Sequence, residues 1–233
     1  MNGHIIGLGV GPGDPELLTL RALARLRAAP VVAYPAPERG PSFARAIVAR
    51  HLSPAQIELP VRVPIEAAPF PADAVYDAAA AAIAAHAAAG RDVAVLCQGD
   101  PFFYGSFMYL FARLGQSHTV EIVPGVSSLG AAAGAAGWPL AAHRDVLSVL
   151  PAMLDDAALE RRLGACEAAV IIKLGRHFPR VRALLERLGL AAGARYVEHA
   201  SLASERVLPL DHVAGAAPYF SMILLHRRGE AWR

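Results

Sequence analysis

The segments able to do chemistry are three turns rich in glycine and proline. The first is G-L-G-V-G-P-G-D-P, Gly7 to Pro15, with four glycines in seven residues. Glycine has no Cβ, so such a run marks a backbone that something approaches closely. It is not a dinucleotide fingerprint. The G-x-G-x-x-G spacing begun at Gly7 meets Pro12, and begun at Gly9 it meets Asp14. Nor does an acidic residue end the next apolar run, where Tyr34 and Pro35 stand. The second turn is C-Q-G-D-P-F-F-Y-G-S-F-M-Y-L, Cys97 to Leu110. Asp100, held between Gly99 and Pro101, reads as a fixed carboxylate facing a cation or an amine, with no room for a Cβ at position 99. A plain helix-entry turn is the other reading. Phe102, Phe103, Tyr104, Phe107 and Tyr109 fall within eight residues and serve either as core or as a wall for a flat conjugated ligand. The third turn, V-P-G-V-S-S, Val123 to Ser128, offers hydroxyls and helix N-terminal N–H groups to a ligand, or simply caps a helix.

These turns need elements to hold them, and the apolar pattern supplies an alternation of strands and helices. Strands are expected at His4 to Val10, Val31 to Tyr34, Val93 to Cys97 and Thr119 to Val123, then at Leu147 to Leu150, Ala169 to Leu174, Arg195 to His199 and Tyr219 to His226. Helices are expected at Pro15 to Ala28, with Asp14 as cap and Leu17, Leu20, Leu23 and Leu26 on one face, and from Ser42 to His51. Others follow at Asp73 to Ala89, Ser106 to Leu114, Ser127 to Gly137, Asp155 to Leu163 and Pro179 to Leu188. The Ala/Gly helix after Val126 implies close packing against its backbone. Alternation without hairpin signals predicts a parallel sheet covered on both faces. The last strand, reached by a short loop holding Pro209 and Pro218, is expected to pair antiparallel. The reading is α/β with two domains, residues 1–123 with a mostly parallel sheet and residues 124–233 with a mixed one.

At 233 residues, 55% hydrophobic and 18% charged, the chain can bury a substantial core. A net charge of +2 gives no excess for nucleic acid or a membrane surface. Of 22 basic residues all but Lys173 are arginine, a composition that suits polyanionic ligands through bidentate carboxylate pairing but also follows from GC-rich coding. Cys97 and Cys166 lie far apart without metal-site neighbours, so no metal is expected, and they read as buried thiols of a reducing compartment. No secretory leader and no membrane span is expected, which places the chain in the cytoplasm.

Together the three turns resemble those of the tetrapyrrole methylases, which carry G-x-G-P-G-D-P near the start, G-D-P-x-x-x-G mid-chain and P-G-[IV]-[ST]-[SA] opening the second domain. The order and spacing match along essentially the whole chain. Within that family the strings V-V-A-Y-P-A-P (31–37), G-D-P-F-F-Y-G-S-F-M-Y-L (99–110), I-K-L-G-R (172–176), Y-V-E-H-A (196–200), E-R-V-L-P-L (205–210) and Y-F-S-M-I-L (219–224) are similar to those of the enzymes that methylate precorrin-2 at C20.

The resemblance implies a homodimer whose two α/β domains enclose S-adenosyl-L-methionine in a cleft between them. Carried over position by position, the cofactor should touch Pro12, then Gln98, Gly99, Asp100 and Phe103, then Ser127 and Ser128. It should also touch Leu174, whose side chain would cover adenine, and Ala200. A tetrapyrrole with eight carboxylates would be met by Arg39, Arg45, Lys173, Arg176 and Arg206, with Tyr104 at the macrocycle. Relatives acting on uroporphyrinogen carry an acidic residue, proposed as a base, just after the second strand. Pro35 takes that place here, so the base does not transfer, uroporphyrinogen is disfavoured, and no catalytic residue is assigned. Gln98, where Glu often precedes G-D-P, and Ile65-Glu66, where Met-Thr often follows Pro64, also depart from the subgroup. The readings left open are methylation of precorrin-2, methylation of its cobalt-containing counterpart, and a non-catalytic module holding the same ligands.

Overall fold

A computed structural model describes residues 2–63 and 73–228. The chain divides into two compact units, Met1–Ser127 and Ser128–Arg233. The sequence reading ended the first domain at residue 123, whereas the first unit also takes in the turn that follows.

The first unit holds a five-stranded parallel sheet in the order β3-β2-β4-β1-β5. Its strands are β1 (Ile5–Gly9), β2 (Val31–Ala36), β3 (Ile57–Arg62), β4 (Val93–Cys97) and β5 (Val120–Val123). Every residue of β1 and of β4 is buried, the mark of a strand covered on both faces. Successive side chains face opposite ways. Ile5, Val31, Val93 and Val95 therefore meet α3 (Asp73–Ala88) and α4 (Phe107–Leu114) through Ile83, Phe107 and Leu110. Ile6, Leu8, Val32 and Leu96 meet α1 (Leu20–Ala28) and α2 (Phe43–Val48) through Leu26 and Ile47. Each such fully buried aliphatic side chain contributes about 1.5–3 kcal/mol.

Two sequence expectations change here. The helix read from Pro15 to Ala28 is broken. Asp14 accepts from the Glu16 N–H at 2.8 Å and caps only a 3-10 turn, Pro15–Leu17. Leu18 is extended, and Thr19 caps α1 by accepting from the Ala22 N–H at 3.1 Å. The buried face is thus Ala22 and Leu26, while Leu20 is 87% exposed. The strand β3 was missed. Its alternation is clear, but Pro60 interrupts it, and proline in a strand is confined to an edge, which is where β3 lies.

The second unit carries a mixed sheet in the order β6-β7-β10-β8-β9. Its strands are β6 (Leu147–Pro151), β7 (Ala168–Ile172), β8 (Ala194–Glu198), β9 (Arg206–Pro209) and β10 (Ser221–His226). β6 and β7 run parallel, and β10 lies antiparallel between β7 and β8, as the short return loop requires. β9, four residues ending in proline, was also missed. One face is covered by α6 (Asp156–Gly164) and α7 (Phe178–Arg187), the other by α5 (Ser128–Ala136). The close packing expected around α5 is absent at its glycines, since a Cβ at Gly130 or Gly134 would meet nothing within 4 Å. Among the described residues no helix is long and apolar enough to cross a membrane.

The end of β10 is locked to the loop before β6 by a buried carboxylate. Asp145 accepts from the Ala142 N–H at 2.8 Å, from His226 Nε2 at 3.1 Å and from Arg228 Nη2 at 2.7 Å. These partners, the backbone N–H first, hold its carboxyl at about 2 against an ordinary 3.8. The folded value lies below the unfolded one, so the stabilisation is complete above pH 3.8 and vanishes as pH falls through about 2. Asp145→Asn should lower the melting temperature at neutral pH. In acid titrations followed by circular dichroism, its gap from the unsubstituted protein should close across that window; a constant gap would rule this linkage out.

Candidate functional site

The three motif turns leave three neighbouring strands. β4, β1 and β5 are adjacent, and at their carboxyl ends lie the Cys97 turn, the Gly9 turn and the Pro124 turn respectively. Ligands of open parallel sheets bind at such ends. Backbone pairing continues beyond the strands: the Gly11 N–H donates to Gly99 O at 3.3 Å and the Gly99 N–H to Gly11 O at 2.7 Å. Gln98 Nε2 reaches Pro12 O at 3.5 Å. The turns are then drawn together until no side chain fits. A Cβ on Gly125 would sit 2.0 Å from Gly99 O, and one on Gly9 would sit 2.5 Å from Gly125 N.

Asp100 adds a side-chain link between two of the turns. Its Oδ1 accepts from the Phe102 N–H at 2.9 Å and its Oδ2 from the Gly125 N–H at 3.0 Å. The expectation that this carboxylate faces a cation or an amine is therefore corrected: both oxygens bind backbone, because the turn after β4 must be tied to the turn after β5. The expectation about Gly99 is corrected too. Its φ is +67°, and a Cβ there would meet nothing within 4 Å. Glycine is required by backbone conformation, and the α-carbon fronts open space.

The five aromatics separate into two roles. Phe107 lies in the core against Gly7, where a Cβ would come within 2.4 Å of its ring, and Tyr109 stacks on Tyr76 at 5.1 Å. Phe102, Phe103 and Tyr104 stay exposed, with Phe103 and Tyr104 edge to face at 5.2 Å. Tyr104 is left-handed at φ 54°. Cys97 lies beneath this turn, and burial pushes its thiol upward, which leaves it unreactive.

Pro12, Gln98, Gly99 and Asp100 are thus gathered in the first unit, with Phe103 on the same turn and Ser127 at the end of its chain. Ser128 begins α5 in the second unit, where Leu174 and Ala200 follow the carboxyl ends of β7 and β8. Leu174 is fully buried in the α6/α7 core, so the reading in which its side chain covers adenine is corrected. Ala200 packs in the opposite core, with Leu129 and Trp138. Both turns hold non-glycine residues in left-handed conformations: Lys173 at φ 59°, His199 at 52° and Ser201 at 69°. Burial pulls the Lys173 ammonium below its ordinary range.

The arginines differ among themselves. Arg39 and Arg176 are exposed. Arg45 is engaged: Nε and Nη2 grip the two oxygens of Glu58 at 2.5 and 2.7 Å, and Tyr34 Oη donates to the same carboxylate at 2.7 Å. Arg45 as a holder of ligand carboxylates is accordingly corrected. Arg206 pairs with buried Glu198 at 2.9 Å, which Tyr196 also binds. Pro35 lies inside β2, opposite Val61, and not beyond the strand end. Pro64, Ile65 and Glu66 fall outside the described residues. Among the described residues no group of three or more His, Cys, Asp or Glu side chains could hold a metal ion.

Residues 4–214 match the tetrapyrrole (corrin/porphyrin) methylases. The chain belongs to this family. It is 43% identical over 232 residues, 96% of this chain and 95% of the relative, to a precorrin-2 C(20)-methyltransferase of Sinorhizobium sp. It is 32% identical over 234 residues, 99% of both chains, to a cobalt-precorrin-2 C(20)-methyltransferase of Salmonella typhimurium. Among solved structures, the uroporphyrin-III C-methyltransferase of Thermus thermophilus complexed with S-adenosyl homocysteine superposes with a TM-score of 0.70 at 26% identity, covering 95% of this chain and 97% of that one. The architecture, one parallel and one mixed α/β sheet, is that of this methylase family.

Two glycines of this methylase test the geometry in opposite ways. Gly125→Ala forces a methyl onto a carbonyl and should cost about 3 kcal/mol or more. Gly99→Ala meets no atom and should cost only the left-handed backbone penalty, about 1–2 kcal/mol. Urea denaturation of both variants measures the difference, and a Gly99→Ala variant as unstable as Gly125→Ala would contradict the open space at position 99.

Proposed function

We propose that this methylase transfers the methyl group of S-adenosyl-L-methionine to C20 of precorrin-2, a step of cobalamin biosynthesis. The observation that carries the reading is 43% identity over nearly the full length of both chains to an enzyme of that name. The metal-free substrate is preferred over the cobalt-containing one because the corresponding identity to the cobalt-precorrin-2 enzyme is lower, at 32%.

The residues present fit such a cofactor. Gly99 fronts open space with a bare α-carbon, so a ligand can lie against the backbone of the turn after β4. Pro12, Gln98 and Asp100 keep that turn in place, Phe103 supplies an apolar edge, and Ser127 and Ser128 contribute hydroxyls. Leu174 and Ala200 keep their place in the reading by the family resemblance alone. When bound, S-adenosyl-L-methionine supplies an already activated methyl group, so the chain needs no nucleophile of its own. Its residues have to orient the acceptor carbon and keep water away, and orientation alone lowers such barriers by several kcal/mol, on the order of 7 or more. Phe102, Phe103 and Tyr104 offer exposed ring surface for a conjugated macrocycle. Arg39, Lys173 and Arg176 remain as partners for its carboxylates. A homodimer in the cytoplasm is the accompanying reading, supported by the family resemblance, by two free thiols and by exposed Val146, Leu147 and Met153 at and beside the ends of β6.

Purified protein with isotopically labelled methyl donor should place one label per precorrin-2, at C20 by NMR, and leave uroporphyrinogen III unmodified. Label at C2 or C7, or transfer to the cobalt-containing substrate alone, would overturn the assignment. Gly99→Val should weaken S-adenosylhomocysteine binding roughly tenfold or more, equivalent to about 1.4 kcal/mol, in a protein whose circular dichroism is unchanged. Calorimetry giving undiminished affinity in that folded variant would remove the cofactor from this turn.

A further inference from the structure

Beside the carboxyl end of β2 the first unit holds a pocket of about 200 Å³, lined among others by Tyr34, Gly40, Ser42, Arg45 and Arg62. It is separate from the Gly99 turn and has no role in the account above. Two guanidinium groups line it, and they differ in one respect that decides what the pocket can bind. A guanidinium takes a carboxylate best along one edge, with two parallel N–H bonds. On Arg45 the Nε/Nη2 edge is closed by Glu58. Arg62 uses only Nη1, donating to Pro37 O at 2.8 Å and to Gly40 O at 3.4 Å. Its Nε and Nη2 have no partner among the described residues, and the residue is exposed.

The charge balance agrees. Arg45 is neutralised by Glu58, whose carboxyl is held at about 2 by the Arg45 and Tyr34 hydrogen bonds and therefore stays ionised at any working pH. Arg62 has no acidic partner among the described residues, which leave the pocket with one uncompensated positive charge. Its position is also fixed. The two bonds to Pro37 and Gly40 pin the guanidinium to the loop after β2, and Ser42 anchors that loop by donating to Pro35 O at 2.6 Å. A side chain already held by its far nitrogen, with Nε and Nη2 unpartnered among the described residues, loses little further entropy on binding.

We propose that this pocket is a carboxylate subsite in which Arg62 binds one acidic side arm of the tetrapyrrole through Nε and Nη2, while the Arg45–Glu58 pair forms its rigid wall. The assignment rests on the reading of the substrate as a precorrin. It differs from the sequence expectation, which chose Arg45 and passed over Arg62.

Arg62→Ala, Arg62→Gln and Arg62→Lys decide the matter. Glutamine loses charge and fork, and its amide stops at the Nε position, short of Pro37 and Gly40, so an unchanged circular dichroism spectrum and melting temperature are required of that variant before its KM is read. Lysine keeps the charge alone. Arg62→Ala and Arg62→Gln should raise the KM for precorrin-2 about tenfold or more, with Arg62→Lys between them and the wild type. The kcat and the affinity for S-adenosylhomocysteine should stay close to wild type. An unchanged KM in Arg62→Gln removes the subsite. A parallel loss of S-adenosylhomocysteine affinity assigns the pocket to the cofactor's own carboxylate and overturns the proposal. Binding of uroporphyrin, a fluorescent octacarboxylate, separates this claim from the reaction. If the wild type binds uroporphyrin in an Arg62-dependent manner yet leaves precorrin-2 unmethylated, the subsite stands and the reaction falls. If it methylates precorrin-2 while the Arg62 variants match it in both assays, the reaction stands and the subsite falls.

Discussion

The site in the first unit depends on how closely three backbones approach at Gly9, Gly99 and Gly125. With the Gly99 carbonyl 2.0 Å from a would-be Cβ on residue 125, no other residue type is compatible with the contact. Such an approach is possible only because β4, β1 and β5 are neighbours in one parallel sheet and end at the same level. Asp100 then converts proximity into attachment. Its two oxygens bind N–H groups of two different turns, each such charge-assisted bond contributing about 1.5–3 kcal/mol. With its neighbours closed off by mutual contact, the Gly99 turn is left with one bare face, and that face is where a ligand can lie on the backbone.

Much of this was legible in the sequence, because local chemistry and tertiary placement agree. Buried parallel strands read as unbroken apolar runs, and glycine clusters read as turns at their ends. The missed pieces share one cause. β3 and β9 contain Pro60 and Pro209, and an edge position, which permits proline, is a tertiary fact that no local pattern contains. Likewise the run Leu17, Leu20, Leu23, Leu26 fits a helical face. The competition between Asp14 and Thr19 for the cap was settled by the extended residue Leu18, which rotates Leu20 into solvent. The roles of Asp100 and Gly99 were misassigned for the same reason. Sequence shows a carboxylate and a glycine at a turn, but not which N–H groups the carboxylate will find or which side of the glycine is empty.

Arginine abundance, which suits a polyanionic ligand and follows equally from GC-rich coding, has a largely architectural outlet. Arg180 donates to the carbonyls of Ala152 and Leu154 while pairing with Asp156. Arg113 joins Asp73, Asp77 and the Tyr109 carbonyl, and Arg195 lies over Trp138 at 4.6 Å. Exposed ion pairs of this kind contribute about 0–1 kcal/mol apiece. Their value is in holding loop carbonyls that strands and helices leave unpaired. Counting arginines therefore says little about a ligand, and the informative quantity is which edge of each guanidinium the protein has already filled.

Among the described residues of the second unit, left-handed non-glycine residues gather at the turns after β7 and β8, with His143 apart in the loop before β6. Lys173, His199 and Ser201 are left-handed without being glycine, each costing about 1–3 kcal/mol and persisting only where neighbours over-determine the chain. The neighbour here is a single segment. The Gly175 N–H donates to Pro218 O at 3.3 Å and the His199 N–H to Phe220 O at 2.9 Å, so the turns after β7 and β8 are pinned to the residues that lead into β10. Antiparallel insertion of β10 between those two strands makes this possible, since it brings the start of one strand beside the ends of two others. The mixed sheet thus has a structural consequence that a parallel one would lack: it lets three chain segments converge at one end of the central strands and hold Lys173, the sole lysine, in a conformation it would not adopt alone.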